Sequence, residues 1–173
     1  MQGAETERTS KLDLETARVL AFILCCLGIL IVATSFLQWA SWSPDPVQGT
    51  THVSIGGGTA ALAIAALGLA LSLMGFQALN RPTSWQFGVM LFTALVTLVA
   101  ALGVLQSRSS TAHGLANALI RHSCFEQCGT PDVNPGPGFW LSMLMAAAAV
   151  VCALVGATFA SASRGSPAST DLA

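Results

Sequence analysis

Apolar residues in this chain are gathered into four long stretches without a charged side chain. The clearest stretch runs from Ser54 to Gln77 and reads SIGGGTAALAIAALGLALSLMGFQ. A helix of about 20 apolar residues crosses a bilayer, and a charge at the bilayer centre costs at least about 2.5 kcal/mol. The pattern therefore predicts four membrane-spanning helices, at about residues 19–38, 57–77, 85–106 and 139–160.

These spans predict an all-α membrane protein built as a bundle of four transmembrane helices. Two long loops, residues 39–56 and 107–138, lie on one side of the predicted bundle. In the first loop, Thr50–Ile55 alternates weakly, which indicates a short extended segment. In the second, Ser110–His122 has apolar residues at helical spacing, which predicts a short amphipathic helix on the membrane surface or over the bundle end.

The two ends of the chain are predicted to be polar segments outside the spans. Residues 1–18 precede the first span, and residues 161–173 form a polar tail that we expect to be disordered. Ser10-Lys11-Leu12-Asp13 resembles a capping box, which starts a helix, and we expect residues 2–9 to be disordered. The first apolar run is longer than the core of a signal peptide, so we expect the first span to be retained.

The composition supports a membrane protein and excludes one class of partner. Only 9% of the residues are charged and 53% are hydrophobic, whereas a typical soluble domain has about 25% charged residues. The net charge is −1 and the sequence has no basic cluster, so we expect no nucleic-acid partner. The expected partners are membrane lipid and other membrane or envelope proteins, or a second copy of the chain.

Lysine and arginine are distributed unevenly between the two sides of the predicted bundle. Because four spans place both termini on one side, that side carries five of the seven basic residues. Basic residues are enriched on the cytoplasmic side of membrane proteins, so both termini are predicted to be cytoplasmic in a cell (inner) membrane protein. The five residues are Arg8, Lys11, Arg18, Arg81 and Arg164, and the other two are Arg108 and Arg121.

Tryptophans and small residues mark the predicted boundaries and contacts of the spans. Indole rings favour the membrane–water interface, which predicts four interface anchors: Trp39, Trp42, Trp85 and Trp140. Small residues at helical spacing let helices approach closely in lipid. This predicts helix-packing positions at Gly57, Ala61, Ala65, Gly68 and Gly156. We expect the hydroxyls of Thr93 and Thr97 to bond to carbonyls of their own helix.

Two cysteines give the second loop its only candidate chemistry. Cys124 and Cys128 are four residues apart, and a disulfide between them is predicted because the outside compartment is oxidising. Three alternatives stay open at this point: a zinc site with His122 and His113, a redox-active pair, and two unpaired thiols.

The predicted spans lack the residues that most membrane chemistry uses. None contains Asp, Glu, Lys, Arg or His, which usually mark ion, proton and polar-solute pathways. No catalytic set is recognisable, so we expect a protein that is not an enzyme and holds no cofactor or metal. The sequence favours an accessory or scaffolding subunit of a cell-envelope complex whose outside loops contact a partner. The alternatives are a transporter or channel component for an apolar or lipid-like solute, and an envelope thiol-redox protein.

One short motif carries a family resemblance. Leu37-Gln38-Trp39-Ala40-Ser41-Trp42 follows the first span, and Ser54-Ile55-Gly56 leads into the second. With the Ala/Gly-rich spans, this layout resembles uncharacterised four-span membrane proteins of actinobacteria, over the first half of the chain. Those proteins often have Leu-Pro-Trp at the end of the first span, where this chain has Gln38. The resemblance implies a bacterial inner-membrane protein and no particular activity.

Overall fold

The computed structural model describes residues 2–43, 53–56, 58–123 and 132–162 of the chain. Four long helices account for most of these residues, and three short strands lie between them. The elements are α1 (Gln2–Ser35), β1 (Gln38–Ser43), β2 (Val53–Gly56), α2 (Gly58–Asn80), α3 (Ser84–Ser123), β3 (Asp132–Pro135) and α4 (Pro137–Ala162). The tail predicted to be disordered comprises residues 161–173. Its part after Ala162 lies outside the described residues.

The four helices are each long and apolar enough to cross a membrane, which confirms the predicted set of four long apolar helices. Their apolar segments are Lys11–Ser35, Ala61–Asn80, Ser84–Ser107 and Pro137–Ala162. Helices adjacent in sequence are adjacent in space, and α4 closes the ring against α1. The contact between α2 and α3 is the least extensive of the four.

The centre of the bundle is filled by small and medium apolar side chains. Small residues let the helix backbones approach one another, and the larger side chains fill the space between them. The fully buried residues include Ala21, Leu24, Ile31, Ile64, Leu71, Met90, Ala94, Ala149 and Ala153.

The backbones of α1 and α2 approach each other closely at glycines. A Cβ added at Gly28 would lie 2.5 Å from the carbonyl oxygen of Gly68, and one added at Gly75 would lie 2.8 Å from the backbone nitrogen of Cys25. Cys25 Sγ is also 3.4 Å from the hydroxyl of Ser72. Since each helix meets the other at positions that only small residues can fill, α1 and α2 form a tightly fitted pair.

Helix α1 is longer than predicted. It begins at Gln2 and not at Ser10, so the disorder predicted for residues 2–9 is wrong. The segment before Ser10 contains no proline and includes alanine, glutamate and arginine, which are good helix formers.

Helix α3 also extends beyond its predicted span. It continues through residues 108–123, so the separate amphipathic helix predicted over Ser110–His122 is instead the last part of α3. Residues 104–113 contain neither glycine nor proline and can therefore stay helical without a break. At about 1.5 Å per residue, residues 108–123 extend α3 about 24 Å beyond its apolar segment.

The N-terminus of α3 is fixed by a reciprocal cap. The backbone N–H of Gln86 donates to the hydroxyl of Thr83, and the backbone N–H of Thr83 donates to the side-chain oxygen of Gln86. This cap satisfies two otherwise unpaired donors and allows the short turn from α2.

Further along α3, the hydroxyls of Thr93 and Thr97 donate to the carbonyls of Val89 and Thr93, which confirms the bonding predicted for them.

The strands form one three-stranded antiparallel sheet with the order β2-β1-β3. β1 is the central strand, and its Trp42 is paired with Val53 on β2 and with Val133 on β3. β2 overlaps the extended segment indicated over Thr50–Ile55, whereas the sequence pattern does not predict the sheet itself.

The two long loops meet at the same end of the bundle. We call this end the sheet end, and the opposite end, where α1 begins and α4 finishes, the termini end.

Candidate functional site: the junction at the sheet end

The junction begins where α1 ends. The backbone N–H of Leu37 donates to the carbonyl of Thr34 at 3.1 Å. The hydroxyl of Ser35 donates to the carbonyl of Val32 at 2.7 Å. These bonds close the last turn of the helix and direct the chain into β1.

Trp39 is the residue that attaches β1 to the bundle. Its side chain is completely buried, and its indole N–H donates to the carbonyl of Ser35 at 3.0 Å. The ring also makes an edge-to-face contact with Phe139, with centroids 6.4 Å apart. A buried indole with its donor satisfied contributes both packing and a fixed orientation.

The turn between β3 and α4 fits closely over the start of β1. The backbone N–H of Gly136 donates to the carbonyl of Trp39 at 2.8 Å. A Cβ at Gly136 would lie 2.5 Å from the carbonyl oxygen of Gln38, and one at Gly138 would lie 2.7 Å from the same atom. Both positions therefore need glycine, because any side chain would displace one of the two segments.

A buried hydroxyl pair joins α1 to α4 close to Trp39. The hydroxyls of Thr34 and Ser142 are 3.0 Å apart, and the Thr34 hydroxyl donates to the carbonyl of Ile31 at 3.1 Å. With that proton used, Ser142 is the donor to Thr34. Such bonds between membrane helices contribute about 0.6–2 kcal/mol.

The predicted interface anchors lie in different surroundings. Trp85 and Trp140 are 77% and 56% exposed on the outside of the bundle, where a membrane boundary would meet them. Trp39, in contrast, is completely buried inside the protein, where the carbonyl of Ser35 accepts from its indole N–H. Trp42 belongs to β1, and its side chain lies outside the described part of the structure.

The predicted packing positions of α2 lie at different depths. Ala61 is buried and Ala65 is half-buried. A Cβ at Gly68 would lie 2.9 Å from the carbonyl oxygen of Gly28, so this glycine is in direct contact with α1. Gly57 lies outside the described residues.

The predicted packing position of α4 is in contact with α3. A Cβ at Gly156 would overlap the ring of Phe87. Phe87 is itself fully buried, so the ring fills the space that a side chain on α4 would otherwise occupy. Gly156 therefore lets α3 and α4 pack closely around an aromatic residue.

The predicted cysteine pair lies outside the described residues. Cys124 and Cys128 belong to residues 124–131, so the structure offers no support for their disulfide or for the zinc and redox alternatives. In the described ranges, no group of three His, Cys, Asp or Glu residues could hold a metal ion. The free cysteines of those ranges are Cys25, Cys26 and Cys152.

A shallow groove of about 390 Å³ lies on the exposed face of α3. Only apolar residues of this one helix line it, so it belongs to the outside of the bundle. Its lining residues are Phe92, Leu95, Val96, Val99 and Ala100.

Sequence reasoning singled out Trp39, but as an interface anchor, and missed the contacts that build the junction. The run Pro135-Gly136-Pro137-Gly138 is a usable signal, because glycines between prolines indicate a tight turn. The burial of Trp39 and the contact between Thr34 and Ser142 depend on distant parts of the chain. No local pattern reveals such contacts.

Comparison of the chain with protein-family models, curated proteins and solved structures finds no match. Any function proposed for the chain therefore rests on its own residues and geometry.

Proposed function

We propose that this protein is a non-enzymatic integral membrane protein that serves as an accessory or scaffolding subunit of a cell-envelope complex. In this proposal the partner is a membrane or envelope protein, and it contacts the sheet end. The observation that carries the proposal is the single sheet into which both long loops are joined, since it gives a four-helix protein one ordered surface outside its apolar segments.

The sheet supplies a means of contact. β1 is paired on both sides, whereas β2 and β3 are the edges of the sheet in the described part of the chain. Edge strands carry backbone donors and acceptors that can pair with an extended segment of another protein. The continuation of α3, about 24 Å long at 1.5 Å per residue, reaches out of the bundle on the same side.

The charge distribution supports the orientation in this proposal. Five of the seven basic residues belong to the side of the termini, and this excess favours a cytoplasmic position for that side. The sheet end then faces the outside, where it meets envelope proteins.

The transport alternative has less support. The bundle centre is occupied by packed side chains, and the groove on α3 opens away from that centre. The apolar segments also lack ionisable residues that would serve a polar or charged solute.

Co-purification of the tagged full-length chain from gently solubilised native membranes tests the proposal. We expect one envelope protein to co-purify in a fixed ratio. Asn134→Arg should abolish that recovery, because it places a large charged side chain at an exposed position of β3. Arg81→Gln changes an exposed position at the termini end and is the matched control, with recovery unchanged.

Two results would contradict the proposal. One is a chain that purifies alone even after cross-linking in cells. The other is solute flux or catalytic turnover by the isolated protein in liposomes, which would favour a transporter or an enzyme.

A further inference from the structure

Two arginines lie where the apolar segments of α1 and α2 end, at the termini end of the bundle. Arg18 is the last charged residue of α1, and Arg81 is the first residue after α2. Both side chains are exposed. Within the described ranges of the chain, neither guanidinium has an ion pair or a hydrogen bond. Two positive charges at this boundary are therefore available to a ligand.

The contacts between α1 and α2 follow an antiparallel register. A Cβ at Gly68 would lie 2.9 Å from the carbonyl oxygen of Gly28. A Cβ at Gly75 would lie 2.9 Å from the carbonyl oxygen of Ala21. A step toward the start of α1 is therefore matched by an equal step toward the end of α2.

This register brings the two arginines to nearly the same level. The next step of three residues leads to Arg18 on α1 and to Ala78 on α2. Arg81 follows Ala78 by three residues, which is less than one helical turn. Ala17 and Ala78 are both buried, so the two helices are still packed at this level.

Arg18 also lies on the side of α1 that faces α2. It precedes Cys25 by seven residues, or about two helical turns, so the two residues share one face of α1. Cys25 Sγ is 3.4 Å from the hydroxyl of Ser72 on α2. Because Arg81 directly follows α2, both arginines lie beside the line along which α1 and α2 are in contact.

The surroundings of the two arginines match the boundary layer of a bilayer. Trp85, four residues after Arg81, is 77% exposed, and indole rings favour the membrane–water interface. On the apolar side, Phe22 lies one turn after Arg18, and Phe76 lies one turn before the end of α2. These rings are 57% and 61% exposed. They offer an apolar surface to the acyl chains of a lipid whose headgroup meets the arginines.

The carboxylates of this part of α1 lie on the polar side of Arg18. Glu15 is exposed and Asp13 is half-buried, and both precede Arg18, away from the charge-free stretch. Neither forms an ion pair with Arg18 in the part of the chain that the structure describes. The charge next to the apolar segments is therefore positive.

We propose that Arg18 and Arg81 together bind the phosphate group of an anionic membrane lipid. A guanidinium presents planar donors that match phosphate oxygens, and basic groups between membrane helices bind anionic headgroups. A free phosphate ion offers the same oxygens, but the exposed aromatic rings on the apolar side favour a lipid. The inference goes beyond the proposed function, because it needs neither a partner protein nor a particular orientation of the bundle.

Quenching of Trp85 by brominated lipids measures which headgroup lies next to the two arginines. The full-length chain carries Trp42→Phe and Trp140→Phe, and the remaining Trp39 is completely buried and out of reach of the lipid. The chain is reconstituted into phosphatidylcholine liposomes that contain a small fraction of brominated phosphatidylglycerol or of brominated phosphatidylcholine. The ratio of the two apparent association constants is the anionic-lipid preference.

We expect a clear anionic-lipid preference in the chain with both arginines. Arg18→Gln and Arg81→Gln should each lower it about fivefold, since a basic residue near an anionic surface contributes about that factor. The double glutamine variant should abolish the preference. Changing both arginines to lysine should keep most of it, because the positive charges remain, and this variant separates loss of charge from loss of folding.

Two controls accompany these variants. Arg108→Gln removes the same charge from α3 beyond its apolar segment, at the sheet end, and should leave the preference unchanged. Inorganic phosphate should not reduce quenching by brominated phosphatidylglycerol when compared with sodium chloride at equal ionic strength, since acyl chains also hold the lipid.

Several results would overturn the lipid site. They are equal quenching by both lipids, an unchanged preference in the double glutamine variant, its loss in the lysine variant, and an equal loss in Arg108→Gln. Displacement of the brominated lipid by inorganic phosphate would show a site for a soluble anion and would overturn the assignment to a lipid.

Discussion

Glycines in the described helices have two different surroundings, and the difference decides what an added methyl group would do to stability. Gly28, Gly68 and Gly156 are pressed against a neighbouring helix, whereas Gly88 and Gly103 have open space around them. Glycine costs about 1 kcal/mol relative to alanine inside a helix. Close packing offsets that cost in the first group, and no contact within the described chain offsets it in the second.

Gly68→Ala is expected to destabilise the bundle by about 1–3 kcal/mol, because its Cβ would lie 2.9 Å from the carbonyl oxygen of Gly28. Gly103→Ala is expected to stabilise it by about 0.5–1 kcal/mol through helix propensity. Unfolding by SDS titration in mixed micelles measures the change in the free energy of unfolding for each substitution. Equal effects of the two substitutions would contradict the assigned surroundings.

Trp39 combines packing with one hydrogen bond, and two substitutions separate these contributions. Trp39→Ala should cost about 3–5 kcal/mol through the cavity it leaves. Trp39→Phe keeps most of the ring contact and leaves the Ser35 carbonyl without its indole donor, at a cost of about 1 kcal/mol. SDS titration measures the free energy of unfolding of these variants too, and Trp85→Phe, at an exposed tryptophan, is the control. A small effect of Trp39→Ala would contradict the burial of the indole.

At the scale of elements, the boundaries of α3 show where the polar–apolar pattern misleads. The residues after Gln106 become polar, and polarity alone predicts the start of a loop there. Helix formation depends on backbone bonding and the absence of breakers, and residues 104–113 contain no glycine or proline. The change in polarity marks where the helix leaves its apolar segment, and the helix itself continues.

The continuity of α3 predicts a distance. Spin labels at the exposed positions Leu95 and Gly114 should be about 28 Å apart along a straight helix, at 1.5 Å per residue. Pulsed electron paramagnetic resonance on the full chain in liposomes should give one narrow distribution. Ser110→Pro should broaden and shorten it, because proline breaks a helix interior. A broad distribution in the unchanged chain would contradict the single helix.

At the scale of the whole molecule, the sequence predicts the helices well and the sheet poorly. The four apolar stretches separated by charges are a local signal, since each span must be free of charge along its own length. The sheet depends on pairing between Trp42 and Val133, residues that are far apart in the chain. No local pattern specifies such a pairing, and the burial of Trp39 depends on the same tertiary arrangement. The candidate junction therefore becomes visible only in the structure.

In the proposed orientation of the bundle, the sheet end faces outside and both termini face the cytoplasm. Labelling of intact cells with a membrane-impermeant maleimide tests it most directly, with a single cysteine introduced at Ser110 or Arg81 in a chain without native cysteines. Both positions are exposed, at opposite ends of the bundle. With this orientation, Ser110→Cys should react in intact cells and Arg81→Cys should react only after permeabilisation. The reverse pattern, or reaction of both in intact cells, would contradict it.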